Sequence, residues 1–378
     1  MQHITKLAIM NHTIAGSGRF QPTPLKGDTK YGTNGGCAAE LLSELKLPTD
    51  VAESVAKYGN LAITKSTWST YKSAKVMLSK CENETGADLS LPFSERKALM
   101  FIDWLARHRK LQCSTINSYL AGVRQLHIIN GIDPPCFRSG LVKLVLKGIT
   151  NSNNIQKREQ KYTGRLPMTP AMMLVFKDLL AVSDRNTHDK RLIWAVATIA
   201  FAGAFRIGEL LAKLESTFDP SFTLLAKDVS WSSDKDGSTT LHICLKCPKE
   251  TKSAAPTVVD IYENRGPLCP VKAFLTWHKI LPRDAAAPLF RNKQGTPLTG
   301  QKMNIIIHSL LDPYTDKSVG TFGTHSFRIG LASMLANLGC PDEEIKASGR
   351  WSSRAFELYI KLKRTKRALM GKKISKLY

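Results

Sequence analysis

Gly323-Thr324-His325-Ser326-Phe327-Arg328-Ile329-Gly330 is followed by Gly349-Arg350-Trp351 and then by Leu358-Tyr359-Ile360. Thr324 reads as the cap of a helix that begins at His325, which puts His325 and Arg328 at i and i+3 on one face. Such a pair can present an imidazole and a guanidinium to a single anion. Taken singly, each segment has a plain explanation: a capped surface helix, or an amphipathic helix with Tyr359 in its core. Their order and spacing, with Arg206-Ile207-Gly208-Glu209 far upstream, are more specific than any one of them.

The elements around this stretch are mostly helical. Apolar periodicity predicts helices over 169–181, 190–205, 271–280, 301–311, 324–338, 342–348 and 353–362. Between them the period changes to that of strands. Thr239–Leu245 and Thr257–Tyr262 alternate or run as β-branched residues, which suggests a small antiparallel sheet. Upstream, residues 49–150 read as a helical bundle, with helices over 51–60, 66–81, 94–108, 114–130 and 137–150. Residues 151–163, with Asn151-Ser152-Asn153-Asn154 and then Lys157, Arg158 and Lys161, read as a polar linker. Residues 1–48 lack sustained periodicity and read as a mobile arm. The expected organisation is therefore arm, helical domain, linker, and a second domain over 164–378 that is mainly α with a small antiparallel sheet.

Composition bounds the partner. Lys and Arg number 54 against 31 Asp and Glu in 378 residues, a formal net charge of +23, which calls for a polyanion. The basic residues are spread over the whole chain rather than along one amphipathic face, which favours nucleic acid over a membrane surface. Leu192–Phe205 is too short to span a bilayer, and nothing at the start resembles a signal peptide. Eight Cys without a regular framework suit a reducing compartment. Cys244 and Cys247 form a lone Cys-x-x-Cys with no second pair at zinc spacing, so no metal site is expected. No phosphate-cradling Gly-rich loop is evident, and no cofactor is expected.

Cutting a phosphodiester without a metal requires an in-line nucleophile, fixed cations for the non-bridging oxygens, and groups to move protons at both ends. Arg is the preferred cation because its planar fork holds two oxygens and keeps its charge. Arg206, Arg328, His325 and Tyr359 are residues of these types. A free Tyr has a pKa near about 10, so a nucleophilic Tyr needs cations around it.

Ala204-Phe205-Arg206-Ile207-Gly208-Glu209-Leu210-Leu211, His325-Ser326-Phe327-Arg328, Gly349-Arg350-Trp351 and Leu358-Tyr359-Ile360 resemble the motifs of the tyrosine recombinases, the phage-integrase family. The wording His-Ser-Phe-Arg-Ile-Gly, then Gly-Arg-Trp-Ser-Ser, is most similar to recombinases of eukaryotic mobile elements of the Crypton and DIRS/Ngaro kind. The resemblance covers residues 50 to 370, strongly in the second half and only architecturally in the helical bundle. It implies a helical core-binding domain and a catalytic domain forming a C-shaped DNA clamp. It implies that Arg206 and Arg328 clamp the scissile phosphate, that His325 assists proton transfer, and that Tyr359 forms a 3′-phosphotyrosyl link. Glu209 matches the acidic brace behind the first arginine. The general-acid Lys is expected at the hairpin, where Lys249 is favoured and Lys252 is the alternative. Where most members carry a His or Trp directly after the Gly, this chain has Arg350. That role is assigned to Trp351, one residue on, with Arg350 remaining open.

The resemblance further implies double-stranded DNA as substrate, a homotetramer on two paired DNA sites, and integration or excision of a mobile element. A catalytically silent DNA-binding protein and a type IB topoisomerase are the alternatives. In the helical domain, Ser66, Thr67 and Lys72 on one helix, and Asn117, Tyr119 and Arg124 on another, are expected to meet bases or phosphates. The tail from Lys361 to Tyr378 is basic, without an acid, and carries Leu369, Met370, Ile374 and Leu377, which suit docking. A eukaryotic host would place the protein in the nucleus, otherwise in the cytoplasm or nucleoid.

Overall fold

The computed structural model describes residues 48–62, 65–129, 132–133, 135–159, 164–246, 256–279, 284–316 and 320–359. The arm, Lys249, Lys252 and the basic tail lie outside the described residues. The chain divides into two compact units, Met1–Gln160 and Lys161–Tyr378. Among the described residues no helix is long and apolar enough to cross a membrane.

The first unit holds α1 (Thr49–Ala62), α2 (Lys65–Thr85), α3 (Glu95–Arg107), α4 (Cys113–Ile129) and α5 (Gly140–Glu159). Ser94 caps α3 by accepting from the Lys97 amide, as Ser does where the first turn leaves orphan N–H groups. The apolar faces of α2, α3 and α4 meet in a core of Ala74, Leu78, Phe101, Ile102, Leu105, Ile116 and Val123. α2 and α4 approach closely because Gly122 has no side chain: a Cβ there would lie 2.6 Å from that of Ala74. One expectation is corrected here. Asn151 to Glu159 continue α5 rather than forming a linker. The Asn153 side chain accepts from the Cys113 amide at 2.9 Å, tying the far end of α5 to the start of α4. Gln156, Lys157, Arg158 and Glu159 are good helix formers, and Asn151, Ser152 and Asn154 are exposed, so polarity here marks a solvated helix face.

The second unit is built around α7 (Thr187–Ala202), which is buried from Leu192 and Ile193 through Phe201. A helix apolar on every side must be covered on every side. α9 (Pro270–His278) and α11 (Ser326–Leu338) pack against it, and α6 (Pro170–Val182) lies alongside. The helix starts earlier than its apolar run predicts because Asn186 caps it on the Asp189 amide. It stops at Gly203, and the short helix α8 (Ile207–Leu210) follows. The sheet is antiparallel in the order β1 (Val229–Ser233), β2 (Thr239–Leu245), β3 (Thr257–Tyr262). β2 and β3 keep their expected bounds, with Leu241 opposite Ile261. β1 is additional: only Val229 of Val-Ser-Trp-Ser-Ser is buried, so this edge strand has no apolar alternation to betray it. α10 (Gly300–Leu311), α12 (Asp342–Ser348) and a 3-10 segment over Arg354–Tyr359 complete the unit. The last replaces the first part of the α-helix expected over 353–362, whose end lies outside the described residues.

Candidate active site

Three arginines converge on the turn that ends α7. The chain leaves the helix at Gly203, passes Ala204 in a left-handed conformation at φ 45°, and reaches Arg206 at the head of α8. The carbonyls this turn exposes are taken by guanidiniums from distant segments. Arg350 Nη1 donates to the Gly203 carbonyl at 2.9 Å, and Arg328 Nη1 donates to the Ala204 carbonyl. The turn is thus closed by charge-assisted hydrogen bonds, which are among the stronger kind.

Glu209 links two of these arginines. Its carboxylate accepts from the Arg206 amide at 2.9 Å and from Arg206 Nη1 at 3.0 Å. It also accepts from Arg350 Nη2 at 3.1 Å. The Arg206 side chain keeps 26% of its surface open and that of Glu209 10%. Arg206 is therefore held by its acid while its side chain stays partly exposed.

Arg328 is 1% exposed. Burying a guanidinium is costly unless it is hydrogen-bonded and paired. Besides the Ala204 carbonyl, it has the Trp351 ring beneath it, 4.2 Å from the guanidinium carbon. Trp351 is itself buried and packs against Phe356. Gly349 makes room for it: a Cβ there would lie 1.9 Å from the Trp351 ring.

His325 corrects the cap assignment. It is itself the N-terminal cap residue of α11, with Ser326 as the first helical residue. Thr324 does not cap; its amide donates to Asn304 Oδ1 of α10 at 3.2 Å, while Ser326 Oγ accepts from the Gly323 amide. The side chain that closes this turn is the one inside the helix, so reading the first hydroxyl as the cap misplaces it by two residues. His325 is exposed as a residue. Its pKa is lowered, first by partial burial of the ring, then by the charges of Arg328, Arg206 and Arg165. The imidazole is thus neutral to lower pH than an ordinary His, as suits a proton acceptor.

Arg165 was not legible in the sequence. Its Nη1 donates to Thr321 Oγ1 at 3.0 Å and to the Phe322 carbonyl at 2.8 Å, holding the segment before His325. It stands in Gly164-Arg165-Leu166-Pro167, a run with no motif to mark it. Nor could spacing have joined Arg350 to Glu209, 141 positions away.

Tyr359 ends the 3-10 segment Arg354–Tyr359, which packs against α11 and is anchored by buried Phe356; its side chain lies outside the described residues. Lys246, at the near end of the hairpin, is engaged by Asp228 at 2.7 Å and by the Pro220 carbonyl. In the first unit, Lys72 on α2 and Asn117 and Arg124 on α4 are exposed, while Thr67 and Tyr119 are half-buried. The Ser66 side chain lies outside the described residues. Among the described residues no cluster of His, Cys, Asp and Glu is arranged to hold a metal ion.

No protein-family model matches the sequence, and no curated protein matches it. Solved structures do. XerH, a site-specific recombinase bound to its palindromic difH substrate in a post-cleavage complex, is 13% identical with a TM-score of 0.52, over 97% of this chain and 92% of that one. A lambda integrase dimer bound to a COC′ core site is 11% identical with a TM-score of 0.50, over 95% of this chain and 86% of that one. The fold of this chain is the one shared by site-specific recombinases and integrases, mainly helical with a small antiparallel sheet.

Proposed function

We propose that the chain is a site-specific DNA strand transferase that cuts and rejoins duplex DNA through a covalent tyrosine link. The observation that carries this reading is the convergence of Arg206, Arg328 and Arg350 on one turn beside His325. Arg206, partly exposed and braced by Glu209, and Arg328 hold the two non-bridging oxygens of one phosphate. Tyr359 Oη attacks the phosphorus and gives up its proton, with His325 as the acceptor. The P–O bond to the Tyr359 oxygen forms as the bond to the 5′ oxygen breaks, and Lys249 supplies the proton to the leaving 5′-hydroxyl. The 3′-phosphotyrosyl bond retains the energy of the broken diester, so a second 5′-hydroxyl can reverse the step on a new partner strand. Fixed guanidiniums stabilise the charge that develops on the oxygens, which is commonly the largest contribution in such sites.

Lys72, Asn117 and Arg124 are the residues of the first unit proposed to meet DNA, with Ser66, Thr67 and Tyr119 beside them. A homotetramer on two paired sites completes the exchange, and mobility of an element is the biological setting. The test is a nicked suicide duplex carrying the sequence that the full chain selects from a random pool. Wild type should form a covalent adduct and Tyr359→Phe should form none. An adduct that persists in Tyr359→Phe refutes the nucleophile. Tight, selective binding without an adduct in wild type would instead identify a silent DNA-binding protein.

A further inference from the structure

We infer that Arg350 is a positioning residue that fixes Arg206 through their shared partner Glu209, and does not itself hold the phosphate. This rests on the proposed strand-cutting function. Three contacts engage the Arg350 fork. Nη1 is spent on the Gly203 carbonyl at 2.9 Å, Nη2 on Glu209 Oε2 at 3.1 Å, and the guanidinium carbon lies 4.7 Å from the centre of the Phe205 ring. The backbone is committed to this placement as well. Arg350 has φ 54°, a left-handed conformation that a non-Gly residue adopts at a cost and keeps only where its surroundings enforce it.

The geometry gives Arg350 two handles on Arg206. It orients Glu209, whose other oxygen and whose second lone pair hold the Arg206 fork and amide. It also clamps the Gly203 carbonyl, three residues before Arg206, and so fixes the turn that aims it. Without Arg350, the carboxylate is free to swing and draw Arg206 out of line. A small misplacement of a reacting or clamping group costs on the order of 100-fold in rate.

The test uses the full chain and the selected suicide duplex, with Arg350→Met, Arg350→Lys, Glu209→Gln and the double variant Glu209→Gln/Arg350→Met. Circular dichroism confirms folding of each; the lysine variant keeps a cation at the site should methionine fail to fold. Arg350→Met should slow adduct formation by roughly 10- to 100-fold. Its DNA affinity and the dependence of that affinity on salt should remain those of wild type. The double variant should be no slower than the slower single variant. Arg350→Lys, which cannot span both acceptors from the Phe205 face, should fall between. A loss of about 0.9 in the salt slope with Arg350→Met would mean that Arg350 pairs a phosphate directly, and would overturn the inference. Independent, additive losses would also overturn it.

A second readout needs no DNA. Titrate His325 by NMR in the same four variants, since Arg206 is one of the charges that act on it. Arg350→Met should shift the titration in wild type and have little effect once Glu209 is replaced. An equal shift in both backgrounds would show a direct field of Arg350 and no action through Glu209. If wild type forms no adduct at all, the strand-cutting reading falls, and the His325 cycle still decides how Arg350 acts.

Discussion

The guanidinium carbon of Arg328 lies over the Trp351 ring, 4.2 Å from its centre, with both residues buried. A cation over an indole is worth about 2 kcal/mol when desolvated, so Trp351 supplies part of what the buried charge loses in leaving water. It also keeps Arg328 directed at the Ala204 carbonyl. Trp351→Ala should therefore lower stability by about 3–5 kcal/mol and slow adduct formation, while Trp351→Phe keeps a ring face and recovers most of both. Urea melts and single-turnover cleavage check this. Equal activity of the alanine and phenylalanine variants would show that the ring does nothing for Arg328.

The proposed role of His325 as acceptor of the Tyr359 proton sets an expectation for the acid side of the pH profile. Partial burial and three neighbouring guanidiniums lower its pKa, so it stays neutral below the ordinary imidazole value of about 6.5. A proton acceptor works only when neutral. At sub-saturating protein, where the rate reports the free enzyme, the acid limb of adduct formation should lie below about pH 6.5. Arg165→Met removes one of the cations, raises the His325 pKa towards its ordinary value, and should move that limb to higher pH. A wild-type limb at or above the ordinary value would rule His325 out as the acceptor.

His127 imposes a separate pH dependence on the first unit. It is fully buried, donates from Nδ1 to the Val123 carbonyl at 2.8 Å and accepts at Nε2 from the Phe93 amide at 2.9 Å. Protonation would put a hydrogen where the Phe93 amide already points. Burial accordingly lowers its pKa in the folded state. A lowered folded-state pKa adds stability above the unfolded value of about 6.5, and that stability is lost as pH falls from there towards the folded value, by up to about 1.4 kcal/mol per pH unit. Hydrogen exchange in α3 and α4, corrected for intrinsic rates, should show opening increase below this point. His127→Leu should remove this contribution to the pH dependence and weaken the unit by about 1–3 kcal/mol above about pH 6.5, because the Phe93 amide is left unpaired, with the difference from wild type shrinking as pH falls.

The long amphipathic helices and the two alternating strands were legible because each repeats a period over many residues. α3, β2, β3 and α12 keep their expected ranges to within a residue or so. Polarity misled at Asn151 to Glu159, since a solvated helix face and a linker have the same composition. β1 has one buried residue, which is too few to make a pattern. Within the site, Arg206 with Glu209, and His325 with Arg328, were legible because each pair is local in sequence. The contacts of Arg350 with Gly203 and of Arg165 with Phe322 span more than a hundred positions, and no local spacing encodes them. Lys249 sits in the stretch outside the described residues, so the choice between it and Lys252 belongs to cleavage assays of the two alanine variants.

Two glycines from the same motifs should behave oppositely. Gly330 lies where α11 crosses the segment that ends at Met168, and a Cβ there would stand 2.1 Å from the Met168 carbonyl oxygen. The obstacle is backbone, and its peptide is held on both sides: the Thr169 amide donates to the Pro167 carbonyl at 3.0 Å and the Met168 amide to the Ser326 carbonyl at 2.9 Å. Gly330→Ala must push α11 outward, carrying Arg328 two residues earlier with it, and should cost about 1–3 kcal/mol together with most of the cleavage rate. Gly208 lies within α8, where an added methyl would meet nothing inside 4 Å, and its φ is ordinary. Gly208→Ala should keep or raise the melting temperature, since alanine favours helix over glycine by about 1 kcal/mol. Should Gly208→Ala nonetheless abolish adduct formation at full stability, the open space above α8 is needed for the DNA backbone beside Arg206. Should Gly330→Ala melt like wild type, the packing of α11 against Met168 is looser than these distances require.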